Sequence, residues 1–304
     1  MSIEPQPGEH SGFVALVGWT NVGKSTLLNR LVGVELAAVG QAAQTTRRRL
    51  VAVLTLPGRG QLAFIDTPGL HDPRHRMNQT MVEVARRSAA EGDVTALVID
   101  AACGIGPGDR RAAELVSRSA ATRVAVLNKI DLVRPRTLLL PLMAELGGRL
   151  GFADVVPVSA STGEGTAELL TVLLNRLPSG PAPYPADFLT DQPESALVAE
   201  WIREKLLTEM REELPHVTAV VVDRWVETDT SIGRVDIEAS ILVERDSQKK
   251  IVIGRGGTRI RDVGTAARLE IERRIGRPVF LRLWVRTRRD WRDDARVLRE
   301  LGVG

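Results

Sequence analysis

Apolar and polar positions along this chain follow two regimes. Up to about residue 177, short apolar runs recur: Phe13-Val14-Ala15-Leu16-Val17, Leu50 to Leu56, Gln61 to Ile65, Val94 to Ile99, Arg123 to Leu127 and Asp154 to Val158. Runs of that length, bounded by Gly, Pro or charged residues, predict strands buried on both faces. Stretches between them, such as Met77 to Glu91 and Asp109 to Ser119, carry helical spacing. Strand and helix alternate, which predicts an α/β domain with a mostly parallel sheet and ligands gathered at the carboxyl ends of its strands. Leu50 to Leu56 and Gln61 to Ile65, joined by Pro57-Gly58-Arg59-Gly60, read as a hairpin.

The second regime begins after a stretch holding Pro178, Pro181, Pro183, Pro185 and Pro193, which restricts the backbone and discourages helix. Beyond it, Leu197, Trp201, Leu206, Met210 and Leu214 line one side of an amphipathic helix over Glu194 to Leu214. Strands are predicted over Val217 to Val226 and Arg234 to Val243, then a helix over Thr258 to Ile275, a strand over Pro278 to Val285 and a last helix over Trp291 to Leu301. The organisation expected is a flexible tail over 1–10, a first domain over 11–177, a Pro-rich linker over 178–193 and an α+β domain over 194–304.

Composition adds bounds. A chain of 304 residues, 43% hydrophobic and 26% charged, suits two globular domains. The single cysteine, Cys103, excludes an intramolecular disulfide and fits a reducing cytoplasm; it is expected as a small buried or loop thiol. No apolar run approaches the ~18 residues of a membrane helix, and the first ten residues lack the pattern of a signal peptide. The net charge of +3 argues little. Its distribution says more: Arg245 to Arg292 hold 15 basic and 5 acidic residues, whereas residues 191–304 as a whole hold 22 and 21. Charge concentrated in that way favours a nucleic-acid face.

Candidate chemistry sits where strands end. Gly18-Trp19-Thr20-Asn21-Val22-Gly23-Lys24-Ser25 follows a predicted strand and precedes Thr26 and a predicted helix. In that context the pattern GxxxxGK[ST] cradles phosphates on backbone N–H groups, with Lys24 reaching the terminal phosphates and Ser25 holding Mg²⁺. Asp66-Thr67-Pro68-Gly69 ends the hairpin, so Asp66 suits the metal and Gly69 a γ-phosphate sensor. Thr45 and Thr46 lie in the long loop between, and either is a candidate to reach the metal. In Asn128-Lys129-Ile130-Asp131 the Asp131 carboxylate can accept from two guanine donors that adenine lacks. Asn128 would brace the loops, Lys129 would lie along the base, and Ser159-Ala160 would close the pocket. Downstream, Lys249-Lys250-Ile251-Val252-Ile253-Gly254-Arg255-Gly256-Gly257 places a GxxG loop between two predicted helices, the device by which a KH domain approaches about four nucleotides. Arg259 and Arg261 extend its basic surface, and Ile251, Ile253 and Ile260 are the expected apolar groove contacts.

These motifs, in this order, resemble the translation-factor class of P-loop GTPases. Gln44-Thr45-Thr46-Arg47, Asp66-Thr67-Pro68-Gly69-Leu70-His71 and Asp246 to Gly257 are similar to the signatures of the bacterial Era family, over nearly the whole chain. The resemblance implies a P-loop GTPase domain followed by a type II KH domain, slow GTP hydrolysis with Mg²⁺, and binding of the 3′ region of small-subunit ribosomal RNA during 30S assembly. It further implies a monomer in the cytoplasm, with a peripheral contact at the inner face of the cell membrane. Lys24, Thr46, Gly69 and Asn21 would serve catalysis. Leu70 stands where many GTPases place a water-orienting Gln, so another element must complete the site. Asn21 matches a potassium-coordinating position in related GTPases; a loop-stabilising amide is the alternative reading. His71 is expected to face solvent. Three departures stand out: Trp19-Thr20 where the family usually has Arg-Pro, Arg255 where Lys is usual, and Ala186 after Tyr184-Pro185 in place of an acid. A GTPase switch controlling an RNA-binding domain and an RNA module with structural GTP differ in whether RNA affinity follows the nucleotide.

Overall fold

The computed structural model describes residues 9–40, 46–71, 75–210, 218–228 and 233–303. They divide into two compact units, one of residues 9–37, 46–71 and 78–191, the other of 38–40, 75–77, 192–210, 218–228 and 233–303.

In the first unit, β1 (His10–Val17) leads into α1 (Lys24–Val32); β2 (Leu50–Leu56) and β3 (Gly60–Asp66) follow, then α2 (Arg76–Glu91), of which Asn78 onward belongs here. After these come β4 (Val94–Asp100), α3 (Pro107–Ser117), β5 (Thr122–Asn128), α4 (Leu139–Ala144), β6 (Asp154–Pro157) and α5 (Thr166–Arg176). The sheet order is β2-β3-β1-β4-β5-β6, parallel throughout except for the β2–β3 hairpin. Both faces are covered, so these strands read as unbroken apolar runs rather than alternating ones. Ala15, Val17, Leu97, Ile99, Ala125 and Leu127 pack with Ala85 and Ala89 of α2 and Ala112, Ala113 and Val116 of α3. Leu27 and Leu28 of α1 and Leu169 and Leu173 of α5 are buried with no more than a trace of exposure. Register aligns the functional ends: Leu16 pairs with Asp66, and Asp100 with Asn128. The residues that follow β1, β3 and β5 therefore emerge at one edge of the sheet.

The Pro-rich stretch lies along this unit. Val53 N–H donates to Leu189 O at 2.9 Å and Val51 N–H to Asp191 Oδ1 at 2.9 Å, so the outer edge of β2 finds one backbone and one side-chain acceptor. The buried Gln61 amide bonds the Tyr184 backbone in both directions, at 3.0 and 2.9 Å. Tyr184 stacks on Phe188 at 4.5 Å between centroids and meets Phe13 edge-on at 6.2 Å, and together they cover Val51, Val53, Ala63 and Ile65. At the start of the chain, β1 takes in His10, the last residue of the expected tail.

The second unit holds α6 (Glu194–Glu209), β7 (Ala219–Glu227), β8 (Val235–Val243), α7 (Asp246–Ile253), α8 (Thr258–Ile275), β9 (Val279–Thr287) and α9 (Ala295–Glu300). Its sheet runs β7-β8-β9, antiparallel then parallel. Alternate residues of β8, Val235, Ile237, Ala239, Ile241 and Val243, are fully buried. Arg274 of α8 lies 4.8 Å from the ring centre of the buried Trp201 on α6. The last helix is shorter than its spacing suggests. Asp294 accepts from Arg296 N–H at 2.8 Å and Val297 N–H at 3.4 Å, so an N-cap starts the helix there. Trp291, expected as its first residue, is instead a fully buried anchor before it. Leu214 and Val217, at expected element ends, lie outside the described residues.

Candidate functional site

Two glycines shape the loop after β1. A Cβ at Gly18 would lie 2.4 Å from Val98 O, and Gly23 has φ +92 with the same atom 2.4 Å from Asn128 Nδ2. Only glycine suits either position. The loop delivers α1 with Lys24 and Ser25 in its first turn, where backbone N–H groups lack intrahelical partners and favour an anion. Val22 is buried beneath the loop, and Thr26 is half-buried beside Ser25. Lys24 is buried and donates from Nζ to Gly18 O at 3.1 Å and Trp19 O at 3.0 Å. Burial pulls its pKa down to about 8, with the Asp66 carboxylate working in the opposite direction.

Three oxygens converge beside it. The Ser25 and Thr46 hydroxyls lie 2.7 Å apart and both donate to Asp66 Oδ2, at 3.3 and 3.1 Å. Asp66 is fully buried, and among the described residues its Oδ1 has no partner. Burial raises its pKa to about 6, against the pull of Lys24 and the two hydroxyls. Two hydroxyls and a buried carboxylate with a spare oxygen fit a hard divalent cation. Thr45, the alternative to Thr46, and Gln44 lie outside the described residues.

Gly69 sits against the loop, where a Cβ would approach Thr20 Cα to 3.0 Å. Leu70 is 4% exposed and belongs to the core under α3. His71 departs from its expected solvent-facing role. Its Nδ1 bonds Gly69 O at 2.8 Å, and its Nε2 is buried without a partner among the described residues, because the ring folds back onto its own backbone.

At the other end, Asn128 is 1% exposed and links two loops: Nδ2 donates to Val22 O at 2.9 Å, and Oδ1 accepts from Ala160 N–H at 3.0 Å. Lys129, at φ 62, donates to Asn21 O at 2.7 Å and to Asp100 Oδ2 at 2.6 Å. Asn21, also in a left-handed conformation at φ 63, is exposed on the loop. Asp131 Oδ1 is buried and unpartnered among the described residues. Ser159 is fully buried, its hydroxyl 3.0 Å from that of Ser161. Asp100 and Arg30 escaped the sequence reading. Arg30 donates to Ala160 O at 3.0 Å and Ser161 O at 2.5 Å, a contact 130 residues apart that no local pattern signals. Cys103 is an exposed loop thiol.

Residues 13–129 match the family model described as 50S ribosome-binding GTPase, and residues 213–292 match that of a KH domain. A solved structure of Era in complex with MgGDPNP and nucleotides 1506–1542 of 16S ribosomal RNA is 37% identical over 97% of this chain and 99% of its own, with a TM-score of 0.94. The chain belongs to the Era family of GTPases. A Tyr-to-Ala variant of Aquifex aeolicus Era bound to GDP·AlF4− gives the same values: 37% identity, 97% and 99% coverage, and a TM-score of 0.94.

The second unit of this Era-family chain carries the GxxG loop between α7 and α8. Gly254, Gly256 and Gly257 have φ of 73, 59 and 77. Arg255, Arg259, Arg261 and Lys250 are exposed, and Lys249 and Ile253 are half-buried. A groove of about 420 Å³ runs from Gly257 along Ile260, Arg261 and Gly264 of α8 to Leu281 and Leu283 of β9. Of the expected apolar contacts, Ile260 lines it; Ile251 and Ile253 are not among its walls. Leu281 and Leu283 were legible only as strand residues, since β9 is identified as an edge strand by the sheet order alone.

Proposed function

We propose that this chain is a GTP-hydrolysing switch that binds the 3′ region of small-subunit ribosomal RNA and assists 30S assembly. The whole-length likeness to an Era structure that holds both MgGDPNP and 16S RNA carries this reading. In it, the loop from Gly18 to Ser25 and the first turn of α1 receive the phosphates, and Lys24 meets the terminal ones. Ser25, Thr46 and Asp66 would hold Mg²⁺, which would supply positive charge against the phosphates. Gly69 offers its N–H to the γ-phosphate, and Asp131, with Asn128, Lys129, Ser159 and Ala160, selects guanine. Leu70, buried in the core, has no polar group to orient the attacking water, so intrinsic hydrolysis is slow. Lys249, Lys250, Ile253, the loop from Gly254 to Gly257, Arg259 and Arg261 form the RNA face.

The reading extends to a monomer in the cytoplasm, with peripheral contact at the membrane; among the described residues no helix is long and apolar enough to cross one. Its test is the affinity of the full chain for an RNA spanning nucleotides 1506–1542, with a GTP analogue and then with GDP. We expect tighter binding in one nucleotide state. Replacing Lys250 and Arg255 by Ala should lower affinity and flatten the log–log salt slope by about 1.4, from two phosphate contacts at ~0.7 each. Equal affinity in both states would make GTP a structural ligand, and an unchanged slope would place the RNA face elsewhere.

A further inference from the structure

The indole at position 19 has a place in the fold that phosphate binding alone does not call for. Trp19 stands opposite Leu70 in a parallel bridge: Leu70 N–H donates to Gly18 O at 3.0 Å, and Thr20 N–H donates to Leu70 O at 3.2 Å. Residues bridged in this way present their side chains to the same side. Both reach the core beneath α3, Leu70 fully and Trp19 in part. The indole lies on the first turn of that helix. A Cβ at Gly108 would fall 2.5, 2.7 and 3.0 Å from three ring atoms, and the Arg111 guanidinium, one turn on, lies 5.9 Å from the ring centre. The helix start is itself fixed, with Pro107 as its first residue and Gly106 N–H donating to Asp109 Oδ2 at 2.9 Å.

The ring thus pins the phosphate loop to α3 while the backbone around it pins Leu70 to the loop. Gly69, the residue before Leu70, is held against Thr20 as a result. We propose that Trp19 is a positioning residue for γ-phosphate recognition: the Trp19–Leu70 clip holds Gly69 beside the phosphate loop, and so favours the triphosphate over the diphosphate. The proposal rests on the assignment of this pocket to guanine nucleotide. Preorganisation of this kind raises affinity by reducing the ordering that binding must otherwise impose. GDP has no γ-phosphate for Gly69 to meet, so its affinity depends on the clip only through the phosphate loop, and by much less.

The experiment compares the Kd of the full chain for GDP and for a non-hydrolysable GTP analogue, both with Mg²⁺, in the unaltered protein and in Trp19→Ala, Trp19→Phe and Gly108→Ala. Trp19→Ala should weaken the triphosphate about tenfold and GDP by less than about twofold. Trp19→Phe, which keeps an aromatic ring on Gly108, should restore most of the ratio. Gly108→Ala brings a methyl within 2.5 Å of the indole and displaces it at some cost in stability, so the ratio should fall while the Kd for GDP stays within about twofold. That pairing separates positioning from general stability. Equal weakening of both nucleotides by Trp19→Ala, or an unchanged ratio in Gly108→Ala, would overturn the proposal while leaving the pocket assignment intact. Failure of the unaltered protein to bind either nucleotide would overturn both.

Discussion

Removing the Asn128 side chain tests how the nucleotide pocket is held together. Its amide joins two loops that lie far apart in sequence, donating to Val22 O at 2.9 Å and accepting from Ala160 N–H at 3.0 Å, in a site 1% exposed to solvent. Asn128→Ala leaves a carbonyl and an N–H without these partners. Each such loss costs about 1–3 kcal/mol, so the pair should cost about 2–6 kcal/mol, with ~3 as the working value. The same amide packs on Gly23, where a Cβ would come within 2.4 Å, so the phosphate loop also loses a lateral support. Asn128→Asp should be no better: its carboxylate still accepts from Ala160 but sets an oxygen against Val22 O. The assay is urea unfolding of the full chain, following the GTPase-domain transition, with GDP dissociation measured in parallel. Dissociation should speed up by about tenfold or more, since each 1.36 kcal/mol lost from the bound state is a factor of ten. A cost under about 1 kcal/mol together with unchanged GDP dissociation would refute the reasoning, because the loops would then be holding themselves.

Asp131→Asn should lower GTP affinity by at least about 100-fold and raise preference for the xanthine analogue, because the two guanine donors lose their carboxylate acceptor while the new amide N–H2 suits the carbonyl that xanthine has there; retained guanine selectivity in nucleotide competition would reject the assignment. In the second unit, burial works against the Glu270 carboxylate, yet hydrogen bonds from Arg273 and Arg274 hold its pKa at about 2. A carboxylate depressed in the folded state adds stability that is present above its unfolded value near 4.5 and lost as pH falls towards 2. Acid unfolding of Glu270→Gln should therefore start from a lower stability at pH 7 and show a shallower loss below pH 4.5; parallel curves would count against it. Turnover in potassium and in sodium at equal ionic strength separates the two readings of Asn21: faster hydrolysis in potassium assigns cation coordination, and equal rates assign the loop amide.

Features that depend on neighbours along the chain could be read from residue order alone. Unbroken apolar runs announced strands buried on both faces, and Gly18 to Ser25 announced a phosphate loop because its chemistry is carried by backbone groups within eight residues. The GxxG loop was legible for the same reason. Where a cap outweighs periodicity the reading slipped, as when Asp294 started α9 four residues beyond Trp291. Contacts between residues distant in sequence emerge only on folding. Asp191, Tyr184 and Phe188 turned a Pro-rich spacer into cover for β2, since an exposed strand edge takes up any backbone or aromatic surface that reaches it. Arg30 found Ala160, and Lys129 found Asp100, through the sheet order rather than through spacing. The indole of Trp19 met Gly108 because α3 packs beside the phosphate loop, a packing that a hydrophobic pattern permits but does not specify.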